Sequence, residues 1–320
     1  MFRLLFALLM IVAVFAFLGV AEIVVRILWG DEINLQYTSA GLNKEQFYSA
    51  KTDGWLPYAE GSSCGKPVKI NSLGLRGPEI NLNTDKKKIL LLGDSVLFGL
   101  ALNEEETISA QLRNKLDACI INTAVIGYAT PHYVDVLHYW IRKTKLNRVV
   151  LFFCLNDIQN RVDPVYESNY SNITEFILTQ LRSRSKLYML MKNRISDRSK
   201  AYFSFSHQTY KAGDPDFISG MNDLLTLKAL CDAEAIQLDV IVLPFEYQLR
   251  HRGQKGIWSP QEMMAGFFQQ NKIDYLNLDF PNFEGNALKK LYLYADGIHF
   301  SALGHQLIAD VAIAYLAEGR

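Results

Sequence analysis

The chain has 320 residues, 49% hydrophobic and 21% charged, which excludes a disordered chain and suffices for one large α/β domain with additions or two small domains. Lys plus Arg and Asp plus Glu balance at 33 each, so the basic footprint of a dedicated nucleic-acid binder is missing. Cys64, Cys119, Cys154 and Cys231 are too few for a disulfide scaffold and lack the CxxC spacing of a zinc site.

Residues 4–21 read LLFALLMIVAVFAFLGVA, without a charge. As a helix, about 18 residues rise roughly 27 Å, close to a hydrocarbon core. Arg3 precedes this run, and Asp31 and Glu32 follow it. The positive-inside rule then puts the amino terminus in the cytoplasm and residues 30–320 outside the cytoplasmic membrane, in the periplasm. A signal peptide cleaved after Gly19-Val20-Ala21 is the competitor, and would make the protein secreted. The length of the apolar run favours an uncleaved, single-pass anchor over residues 1–29.

Residues 30–86 are polar and rich in turn formers, and read as a connecting lobe. Strands are expected at 88–93 (KILLLG), 118–123, 148–155 (RVVLFFCL), 237–244 (QLDVIVLP) and 273–278. Helices are expected at 104–116, 132–142, 217–235, 259–271 and 301–317. Residues 160–210 break the rhythm and read as a helical insertion within a domain spanning 87–320. Strands separated by helices imply an α/β fold: a parallel, five-stranded sheet covered on both faces. In such sheets ligands bind beyond the carboxyl ends of the strands.

Those ends carry a set of polar residues in order. Gly93-Asp94-Ser95 follows the first strand, where a partly exposed serine hydroxyl becomes nucleophilic if a base takes its proton. Gly127 follows the second strand and can offer a backbone N–H to an anion. Asn156 ends the third strand, where its amide can donate to an oxyanion. Asp296 and His299 lie three apart before the last helix, so that an imidazole base and its orienting carboxylate can share one cleft. Singly, each has a plain structural alternative: a capping serine, a loop glycine, an Asx-turn, a solvated loop.

Together the four elements resemble the blocks of the SGNH/GDSL hydrolase family. The resemblance covers residue 88 to the carboxyl terminus, outside the insertion. It implies a three-layer α/β/α, flavodoxin-like fold, with Ser95 as nucleophile, His299 as base, Asp296 as its partner, and Ser95, Gly127 and Asn156 as the oxyanion hole. Gly304-His305 resembles the tail that follows the family's DxxH pair. One departure is visible: the third block usually begins with glycine, and here it begins with Cys154, a side chain expected to narrow the pocket or reset the strand. Upstream, Asn71-x-x-Gly74-x-Arg76 is similar to segments preceding the GDS strand in membrane-anchored bacterial members. Its plain alternative is a turn with Arg76 paired to an acid.

The resemblance implies a serine esterase acting on an O-acyl group; an O-acyltransferase using the same triad shares its first half-reaction and is an alternative, as is a lipase or lysophospholipase. The expected substrate is an acetylated carbohydrate or envelope glycan, with an acylated lipid as the other candidate. A catalytically silent glycan-binding protein is the rival of another class. No P-loop or Rossmann glycine pattern implies a nucleotide cofactor, and His132, His138, His207 and His251 lack metal-ligand spacing, so no cofactor or metal is expected. The basic run from Arg182 to Lys200, interleaved with Leu187, Tyr188, Leu190 and Met191, suits a solvated amphipathic cap, an anionic lipid surface or an acidic glycan.

Overall fold

The computed structural model describes residues 2–30, 33, 48–49, 54–158 and 172–317. In chain order the elements are α1 (Phe2–Trp29), β1 (Tyr48–Ser49), β2 (Gly54–Trp55), β3 (Glu60–Ser63), β4 (Lys66–Lys69), β5 (Lys87–Leu92), α2 (Ser95–Phe98), α3 (Ile108–Lys115), β6 (Ala118–Asn122), α4 (Thr130–Lys143) and β7 (Arg148–Cys154). There follow α5 (Asn172–Arg184), α6 (Lys186–Ile195), α7 (Arg198–His207), α8 (Pro215–Ala233), β8 (Gln237–Leu243), α9 (Glu246–Arg250), α10 (Ser259–Gln270), β9 (Asp274–Asn277), α11 (Gly285–Lys289) and α12 (Ala302–Ala317). The chain divides into two compact units, Met1–Thr38 with Ser168–Asp197, and Ser39–Glu167 with Arg198–Arg320. Residue 159, residues 160–171 of the expected insertion, and 31–32, 34–47 and 50–53 of the expected lobe lie outside the described residues.

The first unit is helical. Ala, Leu and Met, all strong helix formers, carry α1 without interruption through the Gly19-Val20-Ala21 sequence to Trp29. Its stretch Leu5–Trp29 has a mean hydropathy of 2.8 and is long and apolar enough to cross a membrane. The helices α5 and α6 belong to this unit rather than to the sheet-bearing one.

The second unit holds a five-stranded sheet in the order β6-β5-β7-β8-β9, parallel throughout. The inner strands β7 and β8 are buried along nearly their whole length, as a sheet covered on both faces requires. The crossover from β5 to β6 runs one way across the sheet, and that from β6 to β7 runs back. Right-handed crossovers therefore place α3 and α4 on opposite faces. Helix α12 packs with α3, and α8 packs with α4, which completes the three layers. The direction of winding reverses between β5 and β7, so a crevice opens beyond their carboxyl ends.

Each expected strand and helix of this unit is present, with ends shifted by a few residues. The expected helix at 104–116 is split. Glu104–Glu106 forms a 3-10 turn, and Thr107 caps α3 by accepting the Ala110 N–H. The lobe before β5 carries antiparallel pairs, β1 with β2 and β3 with β4, which its weak periodicity did not announce. It delivers Trp55 into the main core, where the indole N–H donates to the Ala124 carbonyl and the ring lies 5.2 Å from that of Phe98.

Two positions are exacting. A Cβ on Gly93 would stand 2.7 Å from the Leu97 Cβ and 3.3 Å from the Phe152 carbonyl oxygen. His305, on α12, is wholly buried, and its Nδ1 accepts the Ile108 N–H at 3.1 Å, tying α12 to the first turn of α3. Burial, followed by the charges of Arg76 and His299, pushes its pKa down from 6.5 to about 3.

Replacement Gly93→Ala is expected to lower unfolding free energy by about 1–3 kcal/mol, read from the denaturant midpoint, because overpacking forces the strand and helix apart. His305 stays neutral in the fold, whereas the unfolded histidine takes up a proton below 6.5. Stability therefore falls as pH drops from 6.5 toward about 3, and this residue adds no further loss below that. His305→Asn preserves an acceptor for Ile108 and removes the titration, so its melting temperature should decline less steeply than that of the parent chain across this window.

Candidate active site

The nucleophile candidate is placed by a very short helix. Asp94 caps α2, its Oδ1 accepting the Val96 N–H at 2.8 Å, and Gly99 ends it in the left-handed region at φ +82°. Ser95 thus occupies the first position after the cap, at the carboxyl edge of β5. It is 9% exposed, less open than the sequence leads one to expect. The far end of α2 is held by Arg76, which donates to the carbonyls of Phe98, Gly99 and Leu102 at 2.6, 2.7 and 2.6 Å. Its guanidinium also lies over the Phe98 ring.

Arg76 is buried, and burial lowers its pKa to about 10 against the raising charges of Glu104, Glu105 and Glu106. It is paired to carbonyls, not to a carboxylate, so the acid-paired turn expected as the plain alternative is corrected: the guanidinium satisfies the open carbonyl end of the helix bearing Ser95. Asn71 prepares this. Its Oδ1 accepts the Leu73 and Leu75 N–H groups and its Nδ2 donates to the Pro78 carbonyl, folding the segment around Gly74 at φ +77°.

Asp296 and His299 come from the loop between α11 and α12. Asp296 Oδ1 accepts the backbone N–H groups of Ile298 and His299 at 3.1 and 2.8 Å, and lies 2.8 Å from His299 Nδ1. His299 Nε2 lies 2.8 Å from Ser95 Oγ. The consistent assignment has Nδ1–H donating to Asp296 and Nε2 accepting from the serine hydroxyl. The loop is braced on both sides. Glu246 donates its N–H to the Gly297 carbonyl, and Leu293 donates to the His299 carbonyl. A Cβ on Gly297 would strike Ser199 at the start of α7.

The electrostatics suit a base. Burial pulls the His299 pKa down, but the Asp296 charge and hydrogen bond, with the Asp94 charge, raise it above the ordinary histidine value. Burial raises the Asp296 carboxyl, yet His299, the Arg198 charge and the backbone donors hold it well below the usual carboxylate range. Arg198 and Ser199 are contributions that the sequence did not reveal as site residues, because they belong to a helix read only as part of a basic run.

Asn156 is half-buried beyond β7, and its side-chain amide bonds to the Asp94 carboxylate, which brings it beside the serine turn. Its Oδ1 is buried without a protein partner. The turn itself is closed by the next residue: Asp157 Oδ2 accepts the Cys154 N–H at 3.0 Å. Asn156 is thereby released from the Asx-turn role. Gly127 is exposed at φ +78°, with nothing within 4 Å of where a Cβ would stand. No hydrogen bond joins it to Ser95, His299 or Asn156 among the described residues.

Cys154 neither narrows an open pocket nor breaks the strand. It remains paired with Leu243 in register, and its thiol is buried, 3.8 Å from Asp94 Oδ1. Burial, then the charges of Asp94 and Asp157, push the thiol pKa up, so it persists as a neutral weak donor. Burial likewise raises both Asp94 and Asp157. Asp94, Cys154 and Asp157 each place one ligand-type atom within 4.8 Å of the others, a cluster that spacing in the sequence did not suggest.

No protein-family model matches the chain, and no curated protein matches it. Solved structures do. The psychrotrophic esterase EstA from a Pseudoalteromonas species matches at 13% identity and TM-score 0.43, covering 72% of this chain and 97% of its own. A GDSL-like lipase from Bacteroides thetaiotaomicron matches at 12% identity and TM-score 0.40, covering 73% and 89%. The lipase/acylhydrolase from Enterococcus faecalis matches at 15% identity and TM-score 0.37, covering 72% and 95%. Likeness at this level carries no argument about chemistry, which rests on the geometry of Ser95, His299 and Asp296.

Proposed function

We propose that the chain is a serine esterase of the SGNH/GDSL type, anchored by α1, that removes O-acyl groups, acetyl foremost, from a carbohydrate or envelope glycan outside the cytoplasmic membrane. One observation carries the reaction class: the unbroken hydrogen-bond chain from Ser95 Oγ through His299 to Asp296, 2.8 Å at each link. Such a chain makes a weak hydroxyl nucleophilic.

In this reading, Ser95 Oγ attacks the ester carbonyl while His299 Nε2 takes its proton. Asp296 holds the ring and stabilises the imidazolium. The oxyanion is met by the Ser95 N–H, the Gly127 N–H and the Asn156 amide. Gly127 is exposed, with open space where a Cβ would stand, which supports its part. His299 then protonates the departing alcohol, and the acyl group rests on Ser95. Water, deprotonated by His299, attacks the acyl-enzyme, releasing the acid and restoring the serine.

The glycan assignment draws on a second feature. A cavity of about 320 Å³ is lined by Phe203, His207, Tyr247, Lys255 and neighbours, none of them in the triad. Tyr247 directly follows Glu246, which is bonded to the catalytic loop at Gly297. Aromatic faces with polar groups at their rim suit a sugar ring. The anchor reading is supported by α1 itself: it is continuous through the candidate cleavage sequence, and Glu22, directly after it, is hydrogen-bonded to α6.

The full chain should hydrolyse p-nitrophenyl acetate, and Ser95→Ala should lose about 10³-fold or more in turnover while keeping the parent's circular dichroism. Equal turnover in both proteins, or none in either, would sink the esterase reading. Activity needs neutral His299, and its pKa lies above 6.5. The rate should therefore rise with pH through a midpoint above that value, and Asp296→Asn should shift the midpoint downward as well as lowering the rate.

A further inference from the structure

We propose that the α5–α6 pair is an interfacial membrane element, lying in the headgroup region of an anionic bilayer beside the outer end of α1. This rests on the anchor reading and extends it: α1 would be the anchor's spanning part and α5–α6 its lateral footing.

The first observation is how α1 holds the pair. Glu22 is the first charged residue after 18 uncharged ones. Its carboxylate accepts the Lys186 and Leu187 N–H groups, both at 2.9 Å, and the Ser185 hydroxyl at 2.8 Å. These are the open amides at the start of α6, which Ser185 also caps through Tyr188. Arg26 pairs with Glu22 and donates to the Arg184 carbonyl at 2.6 Å. Lys186 Nζ closes on the Gly30 carbonyl. The junction between α5 and α6 is thus clamped to one side of the last turns of α1.

The second observation is that α1 stays apolar past the clamp. Ile23, Val24, Ile27 and Leu28 are all exposed, Ile27 at 76%. About 25 residues of helix span roughly 37 Å, more than a hydrocarbon core, so the span tilts or its last turns enter the interface. In either case lipid flanks these turns, and whatever is clamped to them sits at membrane depth.

The third is the surface of the pair. Ile173, Phe176, Ile177 and Leu181 recur at helical spacing and are all exposed, as are Met191 and Ile195, the last at 84%. Residues 172–195 carry Arg182, Arg184, Lys186, Lys192 and Arg194 against one acid, Glu175. An apolar stripe with surrounding cations is the composition of a helix at a lipid interface. Its long basic side chains reach outward to phosphate while the stripe enters the acyl boundary. An acidic glycan would satisfy the cations and leave the stripe in water. A bilayer satisfies both.

The test uses the full chain in vesicles containing about a third phosphatidylglycerol in phosphatidylcholine, a composition that supplies the anionic charge the cations need. Ile177→Cys, in a Cys64→Ser background, carries a nitroxide, with Ile195→Cys as the second variant should the first fail to fold. The remaining cysteines are buried and free of disulfides. After flotation, collisions of the label with oxygen, which concentrates in lipid, are compared with those of a water-soluble nickel chelate. Oxygen should dominate, and the oxygen-to-nickel ratio should fall by about half or more in pure phosphatidylcholine or in Lys192→Glu/Arg194→Glu. Protein that fails to float overturns the anchor reading and this proposal together. Protein that floats with a nickel-dominated label overturns this proposal alone. A label that neither reagent reaches overturns it too, and shows that protein, a partner or a second copy, covers the stripe.

Discussion

Everything at the site depends on one hydrogen bond, 2.8 Å between Ser95 Oγ and His299 Nε2, made across 204 positions of sequence. Such a bond tolerates displacements of a few tenths of an ångström. Both ends must therefore be held by elements that do not move relative to each other. Ser95 follows β5, an inner strand paired on both sides, and its short helix is fixed at one end by Asp94 and at the other by Arg76. His299 precedes α12, which His305 ties to α3 and Gly304 lets approach Leu291 and Phe300 closely. The bond is a consequence of how the two anchorages share one core.

Those anchorages are polar groups kept in a low-dielectric interior, where an unpaired group costs about 1–3 kcal/mol and a paired one specifies geometry. Arg76 illustrates the balance. It remains charged despite burial: three carbonyls accept its N–H groups, and the charges of three glutamates oppose the effect of burial. Asp94 and Asp157 are raised by burial, and Cys154 stands between them as a neutral thiol. A glycine at that position would leave the two carboxyls facing space. The thiol fills it and offers a weak donor to Asp94, so the Cys154 side chain is absorbed beneath the serine turn.

The helical unit follows another logic. Among the described residues Glu22 and Arg26 carry side-chain hydrogen bonds from α1 to α5–α6, while most of α1 presents apolar side chains outward. Arg26 is exposed and Glu22 partly buried beside a hydrophobic stretch, and each bonds to backbone groups of α5–α6 as well as to the other. The clamp thus accounts for two charges that, in the sequence, only interrupt an apolar run.

By itself the sequence determined the alternation of strands and helices, because buried parallel strands must be continuous apolar runs and their connecting helices must be amphipathic. It also singled out Ser95 and Asn156, because polar residues at strand ends stand out against such runs, and Asp296 and His299, because a carboxylate and an imidazole three apart precede the last helix. The hydrogen-bonded line from Ser95 through His299 to Asp296 was decided by the tertiary structure, since no local rule brings residue 95 to residue 299. So were the roles of Trp55, Arg76, Arg198 and Ser199, which lie in segments of weak periodicity or common composition. Local pattern reports which face of an element is buried. Which distant groups meet there is set by the handedness of the crossovers and by the pairing of buried polar atoms, and neither is written in any single stretch of the chain.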